Sequence, residues 1–265
     1  MIIDRALAVA VRRAGAPGGV RFTERQLYYE LCRVLLPLGG APRRPGFTLP
    51  APVSYDRYLG ALHRLGLTRG LVSAPLEPAR AAVRPWLAVE PDVLDYGLPR
   101  LLVCQDETIA AMLRANDLHL EAACPVYAMA DLPLHPDLVT ALGRAGDATV
   151  YVLHDASAAG LATTHSVRLG LDTRVVPLGL RPTHAATMHL TAGRGPATPD
   201  LEPVTGLTPW EHRWLRSGRY AEVAAINPAR LLRALHRLVR GQRRIRPGVP
   251  RLRQVQAVGF MSWPT

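Results

Sequence analysis

Apolar residues recur at helical spacing in the first part of the chain and predict three short helices. Residues 1–15 form the first. The second covers about 23–36, opens with a Thr23–Gln26 capping box and has four apolar residues on one face, Leu27, Leu31, Val34 and Leu35. Ser54 caps a third helix that runs to about Leu65. Three helices separated by Gly- and Pro-rich loops are compatible with a winged-helix module over residues 1–80.

The middle of the chain alternates short apolar runs with helical patterns. Strands are predicted at 100–104, 125–129, 149–153 and 174–178, and helices at 108–116, 136–145 and 158–169. This alternation predicts a parallel sheet of βαβ units. Further helices start at Thr208 and after Pro228. The predicted fold class is α/β, and residues 98–265 form a second domain with the parallel sheet and a helical C-terminal part.

The charge of the chain favours a polyanionic partner. The 265 residues carry a net charge of +11 and a pI near 10.5. All 32 basic residues are arginine. A high-GC genome explains the preference for arginine over lysine, but it does not explain why acidic residues are so outnumbered.

The sequence favours a cytoplasmic protein without a membrane span. No run of eighteen apolar residues occurs, and Asp4 and Arg5 precede the apolar residues of the N-terminal segment, an order that is wrong for a secretory signal. Cys32, Cys104 and Cys124 have no paired spacing, so we expect reduced core cysteines.

A first candidate for chemistry is the pair Arg25 and Tyr29. The two residues are four apart and share a face of the second helix. Free tyrosine has a pKa of about 10, and a guanidinium beside it would stabilise a developing phenolate or a phosphate under attack. The alternative is that tyrosines on this amphipathic helix only pack at the edge of the core.

A second candidate is Asp155, which follows the strand at 149–153. Ligand sites in parallel sheets lie at the carboxyl ends of strands, and a carboxylate there suits a divalent cation. The alternative is a helix cap, which Ser157 would supply.

A third candidate is the run Gln105, Asp106 and Glu107, which follows the strand at 100–104. Strand alternation places Gln105 and Glu107 on one side and Asp106 on the other. The alternative is an acidic first turn of the next helix, which the helix dipole favours.

In this order, the segments resemble the topoisomerase VI A-subunit family, which includes the meiotic double-strand-break proteins. The family joins a winged helix that bears a catalytic tyrosine to a Toprim domain that binds magnesium. Its tyrosine motif is matched by Arg25, Leu27, Tyr28 and Tyr29, and the resemblance implies that Tyr29 is the nucleophile. The run from Leu207 to Leu235 looks like the family's C-terminal helices, where an Ala-Glu pair leads into an apolar helix.

The Toprim resemblance departs from the family at two acids. Gln105 stands where the family has Glu, and Asp155-Ala-Ser157 stands where it has Asp-x-Asp. The resemblance implies a weakened Mg²⁺ site at Asp155, Gln105 and Ser157, with Glu107 or Asp106 as a substitute ligand. A rearranged metal site, a metal recruited only with DNA, and no metal all remain open.

Three functions follow from this resemblance. The first is cleavage of DNA strands through a tyrosine–phosphate bond to Tyr29, as in type IIB topoisomerases, with Arg25 balancing charge in the transition state. The family implies a homodimer, and an ATPase partner resembling the B subunit, since the chain has no GxxxxGK[ST] loop. The alternatives are a DNA-binding or bridging protein whose catalysis has decayed, and a metal-dependent nuclease using the Toprim part alone.

Contacts to double-stranded DNA are expected first at Arg21, Arg43 and Arg44, then at Arg251 and Arg253. Such a protein would be nucleoid-associated. For any one of these arginines the alternative is a solvated surface charge.

Overall fold

Three helices begin the computed structural model, which describes residues 2–37, 46–66, 70–72, 97–170, 173–198 and 206–239. They are α1 (Ile2–Ala14), α2 (Glu24–Leu35) and α3 (Tyr55–Leu65). The predicted capping box of α2 is confirmed, since Thr23 Oγ1 accepts a hydrogen bond from the Gln26 main chain and Gln26 Oε1 accepts one from Thr23. Ser54 occupies the N-cap of α3, but its side chain makes no capping hydrogen bond with the described residues.

A four-stranded parallel sheet follows and confirms the α/β prediction. The strands are β3 (Arg100–Cys104), β4 (Val126–Ala128), β5 (Thr149–Leu153) and β6 (Arg174–Pro177), in the spatial order β4-β3-β5-β6. The helices between them are α4 (Glu107–Ala115), α5 (Leu118–Glu121), α6 (Pro136–Arg144) and α7 (Ala158–Gly170). The predicted strand and helix bounds agree with these to within about two residues.

Side chains point alternately to the two faces along each strand, and both faces of this sheet are covered by other elements. Leu101 and Val103 of β3 pack with α6, whereas Leu102 and Cys104 belong to the larger core that also contains α1, α2 and α4. All three cysteines are buried and free. With both faces covered, the carboxyl ends of β3 and β5 are where polar side chains collect.

The N-terminal helices are joined to the sheet region. The short strands β1 (Phe22–Thr23) and β2 (Leu71–Val72) pair in parallel, and both contact α4. Asn116, at the end of α4, exchanges hydrogen bonds with the main chain of Arg21 at 2.9 Å in each direction. One core therefore contains residues from both predicted domains, while the boundary between 80 and 98 and the winged-helix and Toprim assignments remain predictions.

The C-terminal part packs back onto the sheet. It contains α8 (Pro182–Thr187), β7 (Gly193–Arg194), α9 (Pro209–Arg216), β8 (Arg219–Tyr220) and α10 (Pro228–Val239). An antiparallel bridge joins Ala156 to Ala221 through main-chain hydrogen bonds of 2.9 and 3.1 Å. This bridge places residue 222 beside the residues that follow β5. In the described part of the chain, no helix has the length and apolar character needed to cross a membrane.

Candidate functional site

The site lies at the carboxyl ends of β3 and β5, as the parallel topology predicts. Gln105 follows β3, and its Oε1 accepts a hydrogen bond of 2.9 Å from the main-chain N–H of Asp155. Asp155 Oδ1 in turn accepts one of 2.6 Å from the main-chain N–H of Val223. Two residues predicted from the sequence therefore fix the segment that contains Glu222.

Asp155 is held in a setting that favours its neutral form. Burial raises the pKa of Asp155 to about 7, and the negative charges of Glu222 and Asp106 add to that effect. The Val223 amide and Arg25 oppose it. A carboxyl with this pKa changes charge near neutral pH.

Arg25 and Glu222 form a two-pronged ion pair beside Asp155. Arg25 Nε lies 2.7 Å from Glu222 Oε2, and Nη2 lies 2.6 Å from Oε1. The side chains are 29% and 18% exposed, so the pair is only partly solvated. Hydrogen bonding to Glu222 raises the pKa of Arg25, which stays charged.

Aromatic rings surround the guanidinium of Arg25. Its central carbon lies 4.5 Å from the centroid of the Tyr55 ring and 5.5 Å from those of Tyr28 and Tyr29. The hydroxyl of Tyr28 donates to the main-chain oxygen of Val53 at 2.9 Å. Tyr28 is therefore already bonded to the protein backbone.

Tyr29 is the most deeply buried of the three tyrosines around Arg25, and 3% of its surface is exposed. Burial raises its pKa, and the charge of Glu222, together with a hydrogen bond to that carboxylate, raises it further. Arg25 acts in the opposite direction. The Tyr29 hydroxyl is consequently protonated at neutral pH and has a carboxylate at hand as a proton acceptor.

Glu222 is the residue that sequence reasoning missed. It contacts Arg25 and Tyr29 of α2 and lies next to Val223, which Asp155 holds. The only sequence signal was the Ala221-Glu222 pair before an apolar helix, to which no role was given. Glu222 connects the tyrosine to the strand ends, two regions that the sequence presents separately.

The acidic residues after β3 form the cap and first turn of the next helix, which was the alternative to a metal site. β3 ends at Cys104, so strand alternation does not extend to residue 107, and the prediction that Gln105 and Glu107 share a strand side is wrong. Asp106 is the N-cap of α4 and accepts a hydrogen bond of 2.7 Å from the Thr108 main chain. Glu107 is the first residue of that helix.

The predicted magnesium ligands are hydrogen-bonded to the main chain as they are arranged. The side-chain oxygens of Gln105 and Ser157 and the main-chain oxygen of Asp155 surround Gly160, where an added Cβ would meet all three. Ser157 Oγ, however, accepts a hydrogen bond from the Gly160 main chain at 2.9 Å, as a cap does, and Asp155 and Gln105 also accept main-chain N–H groups. Among the described residues, no three His, Cys, Asp or Glu side chains are grouped to hold a metal. Magnesium binding remains a prediction of the resemblance.

The predicted DNA contacts are only partly described. Arg21 is exposed, next to the end of α4. Arg43, Arg44, Arg251 and Arg253 lie outside the described residues.

No protein-family model matches the chain, and no curated protein or solved structure shows significant similarity to it. Its function therefore has to be argued from its own residues.

Proposed function

We propose that this protein cleaves double-stranded DNA by transferring a backbone phosphate to Tyr29. The observation that supports this most is the meeting of Tyr29, Arg25 and Asp155 around Glu222. In one partly buried site, a tyrosine can serve as nucleophile, a guanidinium can balance charge and a carboxylate can accept the proton in phosphoryl transfer to tyrosine. This is the activity that the topoisomerase VI A-subunit resemblance implies.

Glu222 is the proton acceptor in this proposal. Because the pKa of Tyr29 is raised, its hydroxyl has to lose a proton as it attacks, and Glu222 is the carboxylate whose charge acts on that hydroxyl. The Tyr29 oxygen forms a bond to phosphorus, the bond from phosphorus to the 3′ oxygen breaks, and that oxygen takes up a proton from solvent water. Religation reverses each of these steps.

Arg25 has to exchange partners during the reaction. Its fork is occupied by Glu222, and a phosphate offers the same two-oxygen geometry. When Glu222 takes the tyrosine proton, it becomes neutral and binds Arg25 less strongly. The guanidinium is then available to the phosphate, where it balances charge that builds up in the transition state.

Asp155 and Gln105 act as positioning residues. The hydrogen bonds from Asp155 N to Gln105 and from Val223 N to Asp155 fix the main chain on the C-terminal side of Glu222. This positioning role needs no metal. A homodimer would cut both strands, and an ATPase subunit would couple strand passage to nucleotide hydrolysis, as the resemblance implies.

A second candidate is DNA binding without cleavage. Tyr29 is 3% exposed, and Arg25 is neutralised by Glu222, so DNA reaches the tyrosine only if this site opens. A chain that no longer opens would keep a basic surface and lose catalysis.

The test is incubation with supercoiled plasmid and Mg²⁺ or Mn²⁺, with and without ATP, followed by denaturant and then protease. Nicked or linear DNA that carries protein until protease is added would support tyrosine transfer. Cut DNA free of protein would point to the nuclease. Retarded but intact plasmid under every condition would support the second candidate.

A further inference from the structure

The helix α10 carries one face of arginines and one face that is fully packed. Arg230 and Arg233 are exposed, and Arg237 continues the same spacing. At 3.6 residues per turn these three positions fall within about 60° of the helix circumference. The buried residues of the helix include Leu231, Leu235 and Val239, which lie away from the arginines, and Ala234 beside them.

The C-terminus of α1 extends this basic surface. Arg12 and Arg13 are exposed, and the main-chain oxygen of Arg13 accepts a hydrogen bond of 3.5 Å from Asn227, the residue before α10. The surface formed by Arg12, Arg13, Arg230 and Arg233 is called the arginine face below. In the sequence, no Asp or Glu follows Glu222.

The arginine face lies next to the candidate site. Asn227 also approaches the carboxylate of Glu30 at 3.4 Å, and Glu30 is the neighbour of Tyr29 on α2. Arg33 of α2 donates to the main-chain oxygen of Ala225, which lies between Glu222 and α10. A polyanion on this face would therefore run close to the helix that carries Tyr29.

We infer that the arginine face binds the phosphate backbone of double-stranded DNA and guides the duplex to Tyr29. From Arg230 to Arg237 the helix rises about 10 Å, over which B-DNA presents about three phosphates per strand. A basic amphipathic helix also suits an anionic membrane surface, but such a helix inserts its apolar face into lipid. In α10 that face packs into the core, and the exposed residues of the helix are Arg230 and Arg233.

The inference rests on the proposed function only in taking DNA as the partner. The test is fluorescence anisotropy of a labelled 20-base-pair duplex over a range of salt concentrations. Arg230→Glu/Arg233→Glu should weaken binding on the order of tenfold or more, and the slope of log affinity against log salt should fall by about two. The control is Arg174→Glu, an exposed arginine at the opposite, amino end of the sheet, which should leave the affinity within about twofold.

Two results would overturn the inference. The double variant changes the net charge twice as much as Arg174→Glu does, so a loss of log affinity in Arg174→Glu about half that of the double variant would mean that only net charge matters. Unchanged DNA binding by the double variant, with lost binding to phosphatidylserine vesicles, would assign the face to lipid. The milder Arg230→Gln/Arg233→Gln variant repeats the comparison if the glutamates prevent folding.

The same proteins separate this inference from the proposed cleavage. Weaker binding by the double variant, with no cleavage by any protein, would retain the arginine face and remove the tyrosine reaction. Cleavage that depends on Tyr29, together with DNA binding that is unchanged by the substitutions at Arg230 and Arg233, would retain the tyrosine reaction and remove the arginine face.

Discussion

Arg25 and Glu222 are 197 positions apart in the chain and form a two-pronged ion pair, with N–O distances of 2.7 and 2.6 Å. The pair joins α2 to the segment that precedes α10. Glu222 occupies the guanidinium fork that a DNA phosphate would need, and its charge also raises the pKa of Tyr29. One carboxylate thus both holds the resting site closed and supplies the base for the proposed reaction.

The substitution Glu222→Gln should destabilise the fold and stop cleavage. The amide loses the charge-assisted hydrogen bonds to Arg25, which are worth about 1.5–3 kcal/mol. Urea unfolding measures the loss in the free energy of unfolding, and Glu121→Gln, at a side chain that is 64% exposed, is the control expected to stay within about 0.5 kcal/mol of wild type. Wild-type stability together with wild-type cleavage in Glu222→Gln would show that Glu222 neither stabilises the fold through Arg25 nor acts as the base.

The adjacent tyrosines should behave differently when each hydroxyl is removed. Tyr28→Phe loses the hydrogen bond to Val53, costs about 1 kcal/mol in urea unfolding and leaves DNA cleavage in place. Tyr29→Phe abolishes the protein–DNA adduct without weakening DNA binding, because the attacking oxygen is gone and the basic surface is unchanged. An adduct in Tyr29→Phe that disappears in Tyr28→Phe would move the nucleophile to Tyr28.

Asp155 should make the stability of the protein depend on pH. Its pKa is raised to about 7 in the folded state, compared with about 3.9 in an unfolded chain. The folded state therefore binds the proton more tightly, and this stabilisation is complete below pH 3.9, declines as the pH rises and is lost above 7. Between pH 5 and 7, the free energy of unfolding of wild type relative to Asp155→Asn should fall by on the order of 2 kcal/mol. Parallel pH profiles for the two proteins would refute this.

Gly160 should not tolerate a side chain, although Gly143 should. A Cβ at Gly160 would meet the main-chain oxygen of Asp155 and the side chains of Gln105 and Ser157, so Gly160→Ala should cost about 1–3 kcal/mol. It should also disturb the Gln105–Asp155 hydrogen bond and reduce cleavage. Gly143 lies in α6 with nothing within 4 Å of an added Cβ, and Gly143→Ala should stabilise by about 0.5–1 kcal/mol. Equal melting temperatures for the two variants would contradict this assignment.

The fold was largely predictable, because periodicity and end signals are local. The Thr23–Gln26 box gave the start of α2, and the runs at 100–104 and 149–153 coincide with β3 and β5. The sequence predicted the two parts of the candidate site separately, and it did not predict that they meet. Arg25 and Tyr29 are readable from helical spacing, and Asp155 from its place after a strand, but nothing local indicates that Glu222 joins them.

The one error in the sequence interpretation has a similar origin. Strand alternation was carried past Cys104, although a capping Asp106 and an acidic first turn already favoured a helix. Ser157 caps α7 at Gly160. Where a polar residue follows a strand, the choice between cap and ligand depends on which main-chain N–H groups are nearby, and that depends on the tertiary fold.

The most direct test of the account is the chemical identity of the protein–DNA bond. The adduct is trapped with denaturant, treated with nuclease and trypsin, and analysed by mass spectrometry for the peptide of residues 26–33, which contains Tyr28 and Tyr29. A nucleotide phosphate is expected on the Tyr29 oxygen. An unmodified peptide from cleaved DNA, or a nucleotide on a residue outside this peptide, would contradict it.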